Sequence, residues 1–145
     1  MKKTDFDFEY FDTTADIGID IKSDNMTHAY INAGLATLNL ITDIDKIKPV
    51  TIRDVVIESE DEYGLLYDWV TELLILLDSE NFIASEYNIS IDHVEQGYIL
   101  KGTISGDIYN TNKYNYKTEV KAITYHKMEI IQENDLYHVR FIVDL

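Results

Sequence analysis

Apolar and polar positions alternate from the start of the chain. Phe6, Phe8 and Tyr10 are separated by Asp7 and Glu9, and Ile17, Ile19 and Ile21 by Gly18 and Asp20, with Lys22 following. A period of two marks a strand with one buried face, so two strands are expected, joined by a loop over 12–16. The period then changes. Asn25 is a good N-cap, and Ala29, Tyr30, Ala33, Leu40 and Ile41 recur at helical spacing, which predicts a helix running to about Thr42. Its small residues Ala33, Gly34 and Ala36 suggest close packing on a sheet. After a loop with Asp43, Asp45 and the only proline, Pro49, residues 52–58 read as a strand.

Asp61 then caps a second helix whose Leu65, Leu66, Trp69, Val70, Leu73, Leu74, Leu76 and Leu77 form a broad apolar stripe, the expected hydrophobic spine. From Tyr87 onward the period of two returns, in Ile89 and Ile91, in Tyr98, Leu100 and Ile104, in Val120 and Ala122, in Met128 and Ile130, and in Tyr137, Val139, Phe141 and Val143. Residues 110–115 read as an exposed connector. Helices early and strands late predict an α+β fold, one domain over 1–145, with a largely antiparallel sheet carrying two helices and not a doubly wound parallel sheet.

At 145 residues, folding hides roughly 68 to 70% of the unfolded surface, enough for a core. No apolar run reaches about 18 residues, and Met1-Lys2-Lys3-Thr4-Asp5 leads into charged residues instead of an apolar signal segment, so a soluble, cytoplasmic protein is expected. The absence of cysteine excludes disulfides, thiolate catalysis and sulfur-ligated zinc. Twelve basic against 27 acidic residues give a net charge of −15. That field repels phosphate backbones, so no direct nucleic-acid binding is expected; it favours cations or a basic protein partner, or serves solubility alone.

Several familiar chemistries are missing. Asp5, Asp7 and Glu9 mimic half a calcium loop, but Tyr10 stands where an EF-hand needs glycine. There is no G-x-x-x-x-G-K-[ST] loop, and Gly102-Thr103-Ile104-Ser105-Gly106 misplaces its serine for a nucleophile elbow. His28, His93, His126 and His138 lack H-E-x-x-H spacing and read as surface residues. Asp12, Asp16, Asp144 and the terminal carboxylate of Leu145 supply the oxygen donors of a hard cation such as calcium or magnesium, provided the first loop meets the chain end. Each is equally an ordinary surface carboxylate, with Asp12 suited to an Asx-turn.

The run Thr118-Glu119-Val120-Lys121-Ala122-Ile123-Thr124-Tyr125-His126 sets a lysine in a β-prone stretch. Alternation puts Lys121 opposite Val120 and Ala122, either solvated, bridged to Glu119 or Asp144, or turned toward a partner. This run resembles the archease family, and Phe11-Asp12-Thr13-Thr14-Ala15-Asp16-Ile17-Gly18-Ile19 is similar to that family's F-D-H-T-A-D-I-G signature. Residues 65–74 look like its central helix and Phe141-Ile142-Val143-Asp144-Leu145 like its acid-ended C-terminus, so the resemblance spans nearly the whole chain. The family usually has histidine where this chain has Thr13, and another near Tyr114.

The resemblance implies an accessory protein of tRNA splicing, a protein cofactor rather than an enzyme. It would activate an RtcB-type RNA ligase by promoting GTP-dependent guanylylation and multiple turnover. It further implies a divalent metal ion, calcium, magnesium or manganese, held by Asp16, Asp144 and the Leu145 carboxylate, with Asp12 as a weaker ligand or supporting group. Lys121 carries over as a functional residue near that site or toward the partner, and Glu72 as an acidic position of the central helix. Two other classes remain open: a stand-alone metal-dependent phosphoester hydrolase in which Lys121 stabilises phosphate charge, and a non-catalytic acidic interaction module.

Overall fold

The computed structural model describes residues 7–145, so Asp5 and Phe6 lie outside the described residues. In chain order the elements are β1 (Phe8–Asp12), β2 (Asp16–Ser23), α1 (Met26–Asn39), a 3-10 turn (Ile44–Lys46), β3 (Thr51–Ser59), α2 (Glu62–Glu80), β4 (Phe82–Val94), β5 (Gly97–Ile108), β6 (Ala122–Glu133) and β7 (Leu136–Asp144). The α+β class, the two helices and the antiparallel pairing are as expected. The strands divide into two sheets, however, ordered β1-β2-β7-β6 and β3-β5-β4. No helix among the described residues is long and apolar enough to cross a membrane.

Both helices touch both sheets. Helix α1 packs on β2 and β7 of the first and β4 of the second; α2 packs on β6 of the first and on β3, β4 and β5 of the second. A helix pressed from two sides keeps little solvent face, and residues 29–38 of α1 are all buried, Asn32 and Thr37 included. The Thr37 hydroxyl is satisfied by the Ala33 carbonyl at 2.8 Å. Helix α2 buries the stripe Leu65, Leu66, Trp69, Val70, Leu73 and Leu74, while Leu76 and Leu77 are half-buried. The spine expected of α2 is therefore shared, and α1 is the more buried helix. Gly34 explains how they approach: a Cβ there would lie 2.7 Å from Leu73 Cδ1 and 2.9 Å from Tyr87 Cε2.

Both predicted N-caps form, Asn25 accepting from His28 N–H and Asp61 from Gly64 N–H, each at 2.8 Å. Helix α1 stops at Asn39, short of Thr42, because tertiary partners take over the next residues. Lys117 N–H donates to the Ile41 carbonyl at 2.7 Å, and the Thr42 hydroxyl to Asn115 Oδ1 at 2.7 Å.

The 110–115 connector is exposed as expected except at Tyr114, which is buried. Its hydroxyl and the Lys113 ammonium both donate to Asp107 Oδ2, at 2.6 and 2.7 Å. The Lys113 bond, then the Tyr114 bond, lowers the Asp107 carboxyl from 3.8 to about 2. A pKa depressed by folding stabilises above the unfolded value, and that stabilisation is lost as pH falls through the folded one. Asp107→Asn should therefore lower stability at neutral pH by about 1 to 2 kcal/mol, discounted for the half-exposed lysine. Urea unfolding from about pH 5 down to pH 2 should show the gap from wild type closing across that window.

Candidate functional site

Asp16 opens β2 in register with Asp144 of β7, and Asp144 is in turn in register with Ala122 of β6. Residues directly opposite in an antiparallel pair project from one face with Cβ atoms about 4.5 to 5.5 Å apart, so the two carboxylates are neighbours. The loop before Asp16 is drawn tight by Thr13 N–H donating to the Asp16 carbonyl at 3.4 Å and by Ala15 at φ 70°. That left-handed conformation costs a residue with a Cβ roughly 1 to 2 kcal/mol, strain located at the site itself. Asp12, exposed at the end of β1 opposite Ile17, borders the same loop. Leu145 is half-buried, its side chain packed on the core, which fixes the end of β7.

Lys121 joins this end of the sheet through its backbone: its N–H donates to the Asp144 carbonyl at 2.8 Å. Its side chain is exposed, and among the described residues it is bridged to neither Glu119 nor Asp144. The expected strand alternation is only partly correct. Val120 is buried and Lys121 exposed, but β6 begins at Ala122, and Ile123 takes the next buried position. The tether to β7 replaces a regular ladder ahead of Ala122. Glu72 is half-buried on α2 and lies outside the cleft described next.

Beside the acid pair is a cleft of ≈ 780 Å³. One wall is the 11–16 loop, its floor is Arg140 and Ile142 of β7, and its far rim is His126, Lys127 and Glu129. The rim exists because β6 bulges away from β7 between Thr124 and Glu129, with Lys127 at φ 57°. Tyr125, two residues on from buried Ile123 and so on the helix side of β6, stacks on Tyr67 of α2, centroids 4.4 Å apart and nearly parallel.

Chemically, Asp16 and Asp144 offer oxygen donors alone, suited to a hard cation whose roughly six to eight ligand positions are completed by main-chain oxygens and water. Among the described residues no group of three or more His, Cys, Asp or Glu side chains is gathered for a metal. A cation here would depend on the pair together with non-side-chain oxygens.

Residues 8–145 match the Archease protein family. The chain belongs to the archease family. Protein archease of Sulfurisphaera tokodaii and that of Methanothermobacter thermautotrophicus are each 38% identical to it over 138 residues, 95% of this chain and 98% of each relative. The solution structure of Methanobacterium thermoautotrophicum protein 1598 superposes with a TM-score of 0.83 at 38% identity, covering 95% of this chain and 98% of that one. A crystal structure described as an archease, possible chaperone, from Thermotoga maritima shares the fold, with a TM-score of 0.62 at 21% identity over 93% and 94% of the two chains. The archease resemblance read from the motifs is thus correct, and with it the fold.

Sequence reasoning missed Arg140 and the Lys127 rim. Arg140 is one of two arginines, at an outward position of the last strand, and that rarity was the available signal. Lys127 carried none, because a bulge is set by pairing and leaves no pattern in the chain.

Like charges directly opposite across a strand pair are destabilising by about 0.2 to 1 kcal/mol. In a chelator, Asp144→Asn should therefore raise the melting temperature by about 1 to 3 °C. Calcium or magnesium should raise it further in wild type and much less in the variant. Calorimetric melts with and without the cation check both halves.

Proposed function

We propose that this archease acts on an RtcB-type RNA ligase in tRNA splicing, promoting its GTP-dependent guanylylation and turnover as a protein cofactor. The observation that supports this reading is convergence. Asp16 from the first motif, Asp144 from the last strand and Lys121 from the T-E-V-K-A-I-T-Y-H run meet at one end of the β1-β2-β7-β6 sheet.

In this reading Asp16 and Asp144 hold a divalent cation, calcium, magnesium or manganese, with the Leu145 carboxylate as a further donor and Asp12 on the adjoining rim. The cation supplies a compact positive charge for phosphate oxygens. The chain's own groups do the rest. The tight 12–16 loop presents Asp16, the packed Leu145 side chain anchors Asp144, and the exposed Lys121 ammonium, without an ion pair among the described residues, is available to a partner's acidic group. A net charge of −15 favours approach to a basic cleft and raises the encounter rate at low salt. The description of the Thermotoga protein as a possible chaperone also denotes action on another protein.

The test is guanylylation of the cognate ligase with GTP and manganese, in the presence of no added protein, wild type, Asp16→Asn or Lys121→Ala. Wild type should stimulate, Asp16→Asn should lose at least about tenfold of that stimulation, and Lys121→Ala should lose part of it. No stimulation of a demonstrably active ligase sinks the reading. Phosphoester hydrolysis by the chain alone, abolished by Asp16→Asn, would put the hydrolase in its place.

A further inference from the structure

Arg140 sits on the outer face of β7, in register with Asp20 of β2 on one side and Glu129 of β6 on the other. A guanidinium between two cross-strand carboxylates is placed to pair with either. Among the described residues it forms no ion pair, and Asp20 bonds His138 Nε2 instead. The guanidinium lies over the Phe11 ring, 4.2 Å from its centroid, and its Nε is buried without a hydrogen-bond partner among the described residues. Among the described residues Thr13 Oγ1, from the facing wall of the same cleft, is buried and unpartnered too, as is Thr124 Oγ1 of β6, opposite the floor residue Ile142. Buried polar groups without partners are rare in folded proteins, and two of the four among the described residues belong to side chains lining this cleft.

Two features of the chain keep that arrangement. At Gly18 a Cβ would fall 2.0 Å from Phe11 Cζ, so only glycine lets the ring lie flat on the sheet beneath Arg140. The β6 bulge carries Lys127 to the opposite rim. A planar guanidinium fork, an ammonium and a hydroxyl around one space form a donor set for a tetrahedral oxyanion. Yet Asp12, Asp16 and Glu129 line the same cleft and repel a bare anion. The complementary ligand carries its own cation.

We propose that this end of the cleft is a phosphate subsite, taking the oxygens of a cation-chelated pyrophosphate or polyphosphate group on Arg140, Thr13 and Lys127 while the cation lies toward Asp16 and Asp144. The proposal rests on the reading of the acid pair as a cation site. Its dimensions agree. Arg140 and Asp144 are four positions apart on one strand, about 13 Å between Cα atoms, a gap that two extended side chains narrow to the span of a diphosphate. The cleft volume of ≈ 780 Å³ falls within the range of about 300 to 1,000 Å³ usual for small-molecule sites. The distant part of the chain's negative field is screened beyond about 8 Å at physiological salt, so these local groups decide.

The test titrates the full chain with magnesium alone, pyrophosphate alone and pyrophosphate with magnesium, by calorimetry and by NMR of the arginine Nε–H groups. The expected result is saturable binding of the magnesium complex, a shifted Arg140 resonance, and binding at least about tenfold weaker without magnesium. Arg140→Lys, which keeps the charge and loses the fork, should weaken the complex about tenfold and leave binding of magnesium alone unchanged. Lys127→Gly suits the left-handed backbone there and should weaken it likewise without loss of fold. If magnesium binds but pyrophosphate adds neither heat nor an Arg140 shift, or if both variants match wild type, the subsite is overturned and the cation site stands. Pyrophosphate binding as tightly without magnesium overturns the chelate form, and no binding of magnesium alone overturns the cation reading.

Discussion

One residue, through its carboxylate and its carbonyl, ties both sheets and both helices together. Glu62, the first residue of α2, accepts the Tyr98 hydroxyl of β5 at 3.2 Å and the Tyr137 hydroxyl of β7, while its carbonyl accepts the Tyr30 hydroxyl of α1 at 2.6 Å. Fully buried Trp69 closes the knot by donating Nε1–H to the Tyr30 carbonyl at 2.7 Å. Hydrogen-bond ladders fix strands within a sheet but say nothing about how two separate sheets are set against each other. Apolar packing alone is tolerant of sliding; directed bonds to a charged acceptor are not. Burial first, and then the Glu62 carboxylate, raises the Tyr98 and Tyr137 phenols, so these hydroxyls keep their protons where a free phenol begins to lose them. In the first turn of α2 the carboxylate also meets the positive end of the helix dipole.

What Glu62 fixes reaches the functional end through β7. Tyr137, Val139, Phe141 and Val143 are buried, and the intervening His138, Arg140 and Asp144 pair with outward positions of β2, while Ile142 on that face is covered together with its partner Gly18. With side chains at period two, anchoring Tyr137 inward dictates that Arg140 and Asp144 face outward, and a slip of one residue would bury both charges. Asp16 and the Arg140 cleft are thus positioned by a bond at the far end of their strand. The acid pair needs no scaffold of its own, only the register of β2 on β7.

The elements legible in the chain were those whose determinants are local. Asn25 and Asp61 cap because a side-chain oxygen meets the next turn's N–H, and β2 and β7 alternate because only one face is buried. The division into two sheets was not legible, since alternation gives the buried face of a strand and not its neighbours. Tyr114 looked like part of an exposed connector because its partner, Asp107, is reached only after the chain turns back. The stretch before β6 misled in the opposite sense: its residues are β-prone, but the Lys121 tether to Asp144 breaks the period. At the candidate site, Asp16, Asp144 and Lys121 were singled out through motifs, whereas Arg140 stands out by what it fails to bond, and a missing partner is a three-dimensional property.

The two positions where the family usually carries histidine have separate consequences here. Tyr114 spends its hydroxyl on Asp107, beneath the connector and away from the acid pair, so that position is structural in this chain. Thr13 lies in the site loop, and a threonine there removes a nitrogen donor from the neighbourhood of Asp16. An imidazole changes charge between about pH 5 and 8 and recruits zinc, copper or nickel; a hydroxyl does neither. With a hydroxyl in place of an imidazole, the loop itself offers only oxygen beside Asp16, the donor type that calcium, magnesium and manganese prefer. The hydroxyl left behind, buried and without a partner in the cleft, is a neutral donor beside the Arg140 guanidinium. A hydroxyl in that place thus keeps one donor for an anion without the charge change of an imidazole.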